Sequence, residues 1–364
     1  MDTSVNDIHF DDEGVCNYCS EFMARSGNIL EKSPDLNKIE LDILVKKIKD
    51  NGKRKKYDCI VGVSGGVDSS WVLVKVVELG LRPLAVHMDN GWNSELAQNN
   101  ISNLINKLNI DLYTHVVNWV EYKNLMQSFF DADVIDVELL YDNAMLAVNY
   151  QLARKYDLKY ILAGTNQATE GMRIPPSWNW FKYDKRNIYG IVEIFSKIKI
   201  KTLPTIGTID YFISSVVKGI KWVSILDYYS FNKLEALDIL ERDYGYRRYP
   251  YKHYESIFTR FYQGFILPKK FNVDKRRVHL ATLVATKQMD RGEAIQDLQN
   301  IPYPSRAELE EDKEYFLKKM GWSNERLNDY LRRPEIKHSA YPTERPFWNM
   351  ASKIYTIIKK INNR

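Results

Sequence analysis

The chain has 364 residues, 45% of them hydrophobic and 13% aromatic, and carries a formal net charge of +5. That is enough for two domains, or for one globular domain with a real core and a substantial extension, and the mildly basic balance suits anionic small ligands while being too modest to argue for a nucleic-acid partner. The chain has no apolar run of eighteen residues and no signal peptide, and its three cysteines cannot make a disulfide framework, so the expectation is a reducing, cytoplasmic setting away from membranes.

Residues 1–52 read as an N-terminal segment. Cys16-Asn17-Tyr18-Cys19 follows an Asp-Asp-Glu-Gly turn and supplies two of the four ligands that a structural zinc site needs. The third cysteine, Cys59, falls inside a core strand, so Cys16 and Cys19 are either an incomplete metal site or two free thiols on a turn. Leu36, Ile39, Leu41, Leu44, Val45 and Ile48 then recur at helical spacing, and Asn51-Gly52-Lys53-Arg54-Lys55-Lys56 is a basic turn.

From Tyr57 to Ser70 the sequence is YDCIVGVSGGVDSS. Cys59, Ile60, Val61 and Val63 form the short apolar run of a buried parallel strand, and a helical pattern opens at Trp71. A strand, a glycine turn and a helix in succession point free backbone N–H groups and a positive helix end at one spot. Gly65 and Gly66 let a ligand approach the backbone, and Ser64, Ser69 and Ser70 add hydroxyl donors. The turn ends in no Gly-Lys-Ser/Thr and has no Gly-x-Gly-x-x-Gly spacing, so it is a phosphate loop of neither common kind.

Further on, the chain alternates. Strands are expected at Pro83–Met88, near Leu112–Val117 and at Tyr160–Ala163, with helices over Glu95–Leu108, Tyr122–Phe130 and Tyr141–Tyr156. This is the pattern of a doubly wound parallel α/β sheet, whose ligands sit beyond the carboxyl ends of the strands. Three segments converge there: Ser64–Ser70, Asp89–Ser94 and Gly164–Glu170. The nucleotide-binding domain is therefore drawn at 53–175, and 176–364 is a mainly helical, aromatic and basic region for substrate and partners. Within it, Ile188–Ile200 and Tyr211–Ile225 are apolar segments expected to be helical. His253, Glu255, Arg260, Lys269, Lys270, Lys275, Arg276, Arg277 and His279 are interleaved with Tyr249, Tyr251, Tyr254, Phe258, Phe261 and Tyr262. The mixture reads either as a solvated basic face or as a pocket for a phosphorylated, ring-bearing ligand.

The loop SGGVDSS is similar to the SGGxDS loop of the PP-loop ATP pyrophosphatases. Taken with FDDEGVCNYC, HMDNGWNSELAQNNI, ILAGTNQATEG and KHYESIFTRFYQGFILPKKFNVDKRRVHL, the chain resembles the N-acetyl sugar amidotransferases of that superfamily, across most of its first 290 residues. The resemblance implies an adenine nucleotide alpha hydrolase-like fold. It also implies conversion of an acetamido group to an acetamidino group on a nucleotide-activated amino sugar of bacterial surface glycans, such as the lipopolysaccharide O-antigen. ATP would activate the amide oxygen, ammonia would attack, and AMP and pyrophosphate would leave. In that family an earlier Cys-x-x-Cys precedes a Met-Pro-Asp-Thr stretch; here Met1-Asp2-Thr3 opens the sequence, so the expectation is a shortened chain or a lost metal.

By the same resemblance, Ser64, Gly65, Gly66, Asp68, Ser69 and Ser70 hold pyrophosphate and its magnesium. Val86, His87 and Met88 lie against adenine, Gly164 and Thr165 near the α-phosphate, and Asp89 and Asn93 serve ribose or metal. His253, Glu255, Arg260 and Lys269 act on the sugar with Asp68, while Lys270, Lys275 and Arg276 clamp its phosphates. No glutaminase nucleophile is evident, so the expected partners are a separate glutaminase and a cyclase-like ammonia-channel subunit, with a homodimer left open. Two rival readings stay open. One is a PP-loop enzyme that thiolates tRNA, and the other is an ATP-binding scaffold subunit of a glutamine amidotransferase complex.

Overall fold

The computed structural model describes residues 1–249 and 254–362. Strands β1 (Cys59–Gly62), β2 (Pro83–Asp89), β3 (Asp111–Val116), β4 (Tyr160–Ala163) and β5 (Lys221–Ser224) form one parallel sheet in the order β3-β2-β1-β4-β5. The order runs outward from β1 on one side and from β4 on the other. The crevice between the carboxyl ends of β1 and β4 is therefore the topological switch point, where such sheets bind ligands.

Helices α1 (Asn17–Leu30) and α2 (Pro34–Gly52) precede the sheet. Helices α3 (Val67–Glu78) and α4 (Glu95–Leu108) make the first crossovers, and α5 (Trp119–Asp131) and α6 (Leu139–Lys155) connect β3 to β4. Their starts follow from local chemistry. Ser94 accepts the Ala97 N–H and Asn118 the Glu121 N–H, each satisfying a donor that the first turn leaves open. Asn109, at φ 50°, ends α4 in the left-handed conformation that asparagine tolerates.

Alternation along β1 divides the core. Cys59, Val61 and Val63 pack with α2, α3 and α4, whereas Ile60 joins Leu84, Val86 and the Ala147, Val148 and Leu152 face of α6. In α2 the structure buries Leu41, Val45 and Ile48 and leaves Leu36 and Ile39 exposed, so only part of the apolar spacing faces the sheet.

A third core surrounds Trp92, which is fully buried just after β2 and packs against Trp119, Phe258 and Phe316. It joins α5 to the C-terminal helices, including Arg306–Met320 and Asn324–Arg332. Truncating an aromatic of this size costs about 3–5 kcal/mol. The C-terminal region is thus packed onto the sheet domain rather than tethered to it.

One expected element differs. The Tyr211–Ile225 stretch, read as helical, is helical over Thr208–Val217 and then becomes β5. Gly219 at φ +65° turns the chain out of the helix, and Lys221–Ser224 adds to β4, so the sheet continues past residue 175. Helix α7 (Gln167–Glu170) follows β4, and α8 (Lys185–Phe195) stops before Ser196 rather than running to Ile200. Among the described residues no helix is long and apolar enough to cross a membrane.

Candidate nucleotide and acceptor site

β1 leads into the loop Ser64–Gly66, and α3 begins with Gly66 as its N-cap and no side-chain cap. The first-turn N–H groups therefore face the crevice without a competing side chain. Gly65 takes φ +85°, and its carbonyl accepts hydrogen bonds from the Tyr246 and Tyr249 hydroxyls at 3.0 and 2.9 Å. Ser64 and Ser69 lock the loop: their hydroxyls lie 3.0 Å apart, Ser69 Oγ accepts the Ser64 N–H at 3.2 Å, and Ser64 Oγ accepts the Gly66 N–H at 3.3 Å.

Both glycines stand at close approaches, Gly164 against backbone and Gly66 against a side-chain end. A Cβ on Gly66 would sit 2.5 Å from Glu255 Oε1, and one on Gly164 would sit 2.9 Å from the Ser69 nitrogen. The first brings a C-terminal carboxylate against the loop; the second seats the end of β4 on the start of α3. The 254–257 segment reaches this place by pairing with the exit of β2. Ser94 N–H donates to Glu255 O at 2.9 Å, Ile257 N–H donates to Trp92 O at 2.9 Å, and Asn93 and Ser256 form an antiparallel bridge.

The result is one cavity of about 810 Å³. Its nucleotide end is lined by Ser64, Gly66, Asp68, Ser69, Gly164 and Thr165, with Val86 and Met88 from β2. Lys233 approaches Asp68 Oδ2 at 4.0 Å and also lines it. An uncapped helix end, two loop hydroxyls, a lysine and glycines admitting close backbone approach fit a polyphosphate. Among the described residues no group of three or more His, Cys, Asp or Glu side chains is set to hold a metal alone. Asp68 is the carboxylate at the loop, an oxygen donor of the kind that magnesium takes beside phosphate oxygens.

A second wall was not evident in the sequence. Glu138, Tyr141 and Asp142, from the start of α6, line the cavity with Lys182, Gln263 and Lys275. Both Glu138 carboxylate oxygens accept from Gln263 Nε2, at 3.0 and 2.9 Å, and Oε2 also accepts from Lys275 at 2.8 Å. Lys182 Nζ lies 2.6 Å from Asp136 and 2.9 Å from Asp142. Burial alone would raise the Asp136 carboxyl, but Lys182 and Lys275 hold it below its ordinary value. Burial works against the Lys182 ammonium, yet Asp136 and Asp142 hold it charged, well above the usual lysine range. His279 also lines the cavity, its Nδ1 3.0 Å from the Thr169 carbonyl.

Several expected site residues lie elsewhere. Ser70 is buried inside α3, and its hydroxyl cannot reach the cavity that Ser64 and Ser69 line. His87 points away from Val86 and Met88, as strand alternation demands; its Nδ1 meets Val63 O at 2.9 Å, and burial lowers its pKa. Asp89 accepts from Gly91 N–H and Asn93 Nδ2, shaping the turn, whereas Asn93 itself lines the cavity.

In the C-terminal block, Glu255 and Lys275 reach the cavity. Arg260 does not: its guanidinium is paired bidentately with the buried Asp312 at 2.5 Å. Lys269 is exposed on the surface. Lys270 is enclosed by Asp133 and the carbonyls of Tyr330 and Arg333, and Arg276 by Asp274 and the carbonyls of Asp297 and Asn300. His253 lies outside the described residues. Cys16 caps α1, its Sγ 3.4 Å from that of the half-buried Cys19, and burial with the neighbouring thiol pushes Cys19 up to about 11.

Two segments of the chain match known families. Residues 37–173 match the NAD synthase family, and residues 255–355 match the family described as LPS biosynthesis protein WbpG-like, C-terminal domain. The NMN synthetase of Francisella tularensis is 17% identical, over 60% of this chain and 89% of its own, with a TM-score of 0.31. The NH3-dependent NAD synthetase of Campylobacter jejuni is 13% identical, over 57% and 82%, also at 0.31. A 4-thiouridine synthetase solved with RNA and ATP is 16% identical, over 47% and 41%, at 0.26. No curated protein matches the chain. The parallel sheet and the first match give the fold as that of the PP-loop, NAD synthetase-like enzymes, with a helical C-terminal region. Side by side in one chain, the two family matches support a PP-loop family of lipopolysaccharide biosynthesis.

Proposed function

We propose that the chain is the synthetase component of an ATP-dependent amidotransferase, which converts an acetamido group of a nucleotide-activated amino sugar into an acetamidino group. One observation carries this reading: the NAD synthase-like and WbpG-like segments wall a single cavity, with Glu255 of the second against Gly66 of the first. At about 810 Å³ that cavity is within the range of sites for drug-sized ligands and cofactors, with room for polar walls at both ends.

In this reading the uncapped end of α3, Ser64, Ser69 and Lys233 orient the ATP phosphates, and Asp68 supplies a carboxylate to magnesium. Bound ATP supplies the adenylyl group that makes the amide oxygen a leaving group. Glu255, Gln263 and Lys275 orient the acceptor, and the 254–257 segment keeps water away from the loop. Ammonia comes from a separate glutaminase through a channel subunit. Supporting this division, Cys59 is fully buried in β1 with its thiol held protonated by desolvation, and Cys16 and Cys19 form a buried or half-buried pair.

The test is mass spectrometry of a reaction holding ATP, magnesium, ammonium chloride and a UDP-linked 2,3-diacetamido uronic acid. The expected product is lighter by the difference between O and NH, with AMP and pyrophosphate formed in step. ATP turnover to ADP, or no nucleotide turnover at all, refutes the reading. AMP formation without a changed sugar keeps the adenylation chemistry and refutes the acceptor. Activity of the chain alone with glutamine in place of ammonium refutes the separate glutaminase.

A further inference from the structure

Ammonia is almost wholly ammonium at neutral pH, so an amide-forming or amidine-forming site must remove a proton from nitrogen before or as the new bond forms. Three carboxylates crowd the second wall, and their partners separate them. Asp136 is buried behind the wall, taking the Trp180 N–H at 2.6 Å and Lys182 at 2.6 Å, and does not line the cavity. Glu138 lines it, but Gln263 and Lys275 occupy both of its oxygens. Asp142, one turn along the same face of α6, lines the cavity and meets Lys182 at 2.9 Å through Oδ2.

We infer that Asp142 is the catalytic proton acceptor for the incoming nitrogen nucleophile. The inference rests on the function proposed above. The Asp142 carboxylate takes one proton from the bound ammonium, and the lone pair this frees forms the C–N bond at the activated imidate carbon while the C=N π pair moves onto the sugar nitrogen. The C–O bond to AMP then breaks, with its electron pair leaving on the phosphate oxygen.

Every charged or titratable neighbour fits that task. Lys182, from the segment after α7, steadies the carboxylate without neutralising it alone, because it is shared with Asp136. Glu138 and Tyr141 share its helix, Lys275 stands beyond Glu138, and His338 behind Asp136 is kept neutral by burial, its pKa lowered to about 4. Burial, with Asp136 and Glu138 nearby, lifts the Asp142 carboxyl above its ordinary value against the pull of Lys182, making it a stronger base than a solvated aspartate. Tyr141 lines the cavity beside Asp142.

The experiment separates the two half-reactions with the same UDP-linked diacetamido uronic acid. Asp142→Asn is expected to keep acceptor-dependent ATP–pyrophosphate exchange and to lose about 10²- to 10⁴-fold in ammonium-dependent turnover. Hydroxylamine, already neutral at pH 7, is expected to restore turnover in this variant far more than in the wild type. Asp142→Glu should recover part of the ammonium rate. The acid limb of the wild-type rate profile should vanish in Asp142→Asn. Ammonium turnover within about threefold of wild type in Asp142→Asn overturns the inference, as does equal loss with both nucleophiles. A wild-type chain with no exchange refutes the proposed function first, and this inference falls with it.

Discussion

Adding one methyl group at Gly164 tests whether the seat between β4 and α3 sets the phosphate geometry. A Cβ there would lie 2.9 Å from the Ser69 nitrogen and 2.9 Å from the Asp68 carbonyl carbon, both backbone atoms. Reaching the 3.4 Å of ordinary contact requires the strand end and the helix start to part by about 0.5 Å. No flexible side chain can absorb this, so Gly164→Ala carries the cost of overpacking, about 1–3 kcal/mol of stability. A shift of about 1 Å in a reacting geometry costs on the order of 10²-fold in rate, so half of that predicts roughly a tenfold loss in turnover. Gly66→Ala is the control. Its Cβ would meet the far end of the Glu255 side chain, at 2.5 Å, which can swing away, so stability should change less. ATP–pyrophosphate exchange and thermal melting read both variants. Wild-type exchange and an unchanged melting temperature in Gly164→Ala would refute the argument that this contact fixes the loop.

Other substitutions separate site from scaffold. Asp68→Ala is expected to abolish exchange while the circular dichroism spectrum and melting temperature stay near wild type; full activity would remove Asp68 from the phosphate end. Arg260→Ala leaves Asp312 buried without its bidentate partner and is expected to cost about 3–5 kcal/mol in urea unfolding, with unchanged KM for ATP in the folded fraction. For His338, the native pKa of about 4 lies below the ordinary 6.5, so the unfolded chain binds the proton first. Stability from this group is full above pH 6.5 and falls as pH drops toward 4, by about 3 kcal/mol in all. His338→Gln should flatten that part of the stability profile; an unchanged acid slope would contradict it.

The phosphate end was legible in the sequence because its signal is local. A buried strand, two glycines and a helix lie within fourteen residues, and chain order alone predicts that β1, β2 and β4 end at one crevice. The second wall gave no such signal. Glu138, Asp142 and Lys182 belong to no local motif, and only the fold of the 171–184 segment against α6 brings them together. Asn143 helps, holding the Lys182 and Ile206 carbonyls at 2.7 Å. The basic C-terminal block shows the complementary limit. Composition announced cations among aromatics but not their directions. Residues 255–263 turn Glu255, Ser256, Thr259 and Gln263 to the cavity and Arg260 to Asp312, while Lys270 and Arg276 cap carbonyls in the helical region. Strand β5 was missed because four residues, Lys-Trp-Val-Ser, are too few for periodicity to declare a strand.

The antiparallel stitch between residues 92–94 and 255–257 has a consequence for how such proteins can be recombined. Trp92 gives its carbonyl to Ile257 and its ring to Phe258 and Phe316, so the exit of β2 is completed by chain that arrives more than 160 residues later. A chimera that keeps the nucleotide half and imports a foreign C-terminal half must match the shape around one indole and the backbone register beside it. On the proposed function, specificity for a new acceptor therefore cannot be imported as a detachable cassette. It has to be changed in place, by substitutions at Gln263 and Lys275 that leave the indole's surroundings alone.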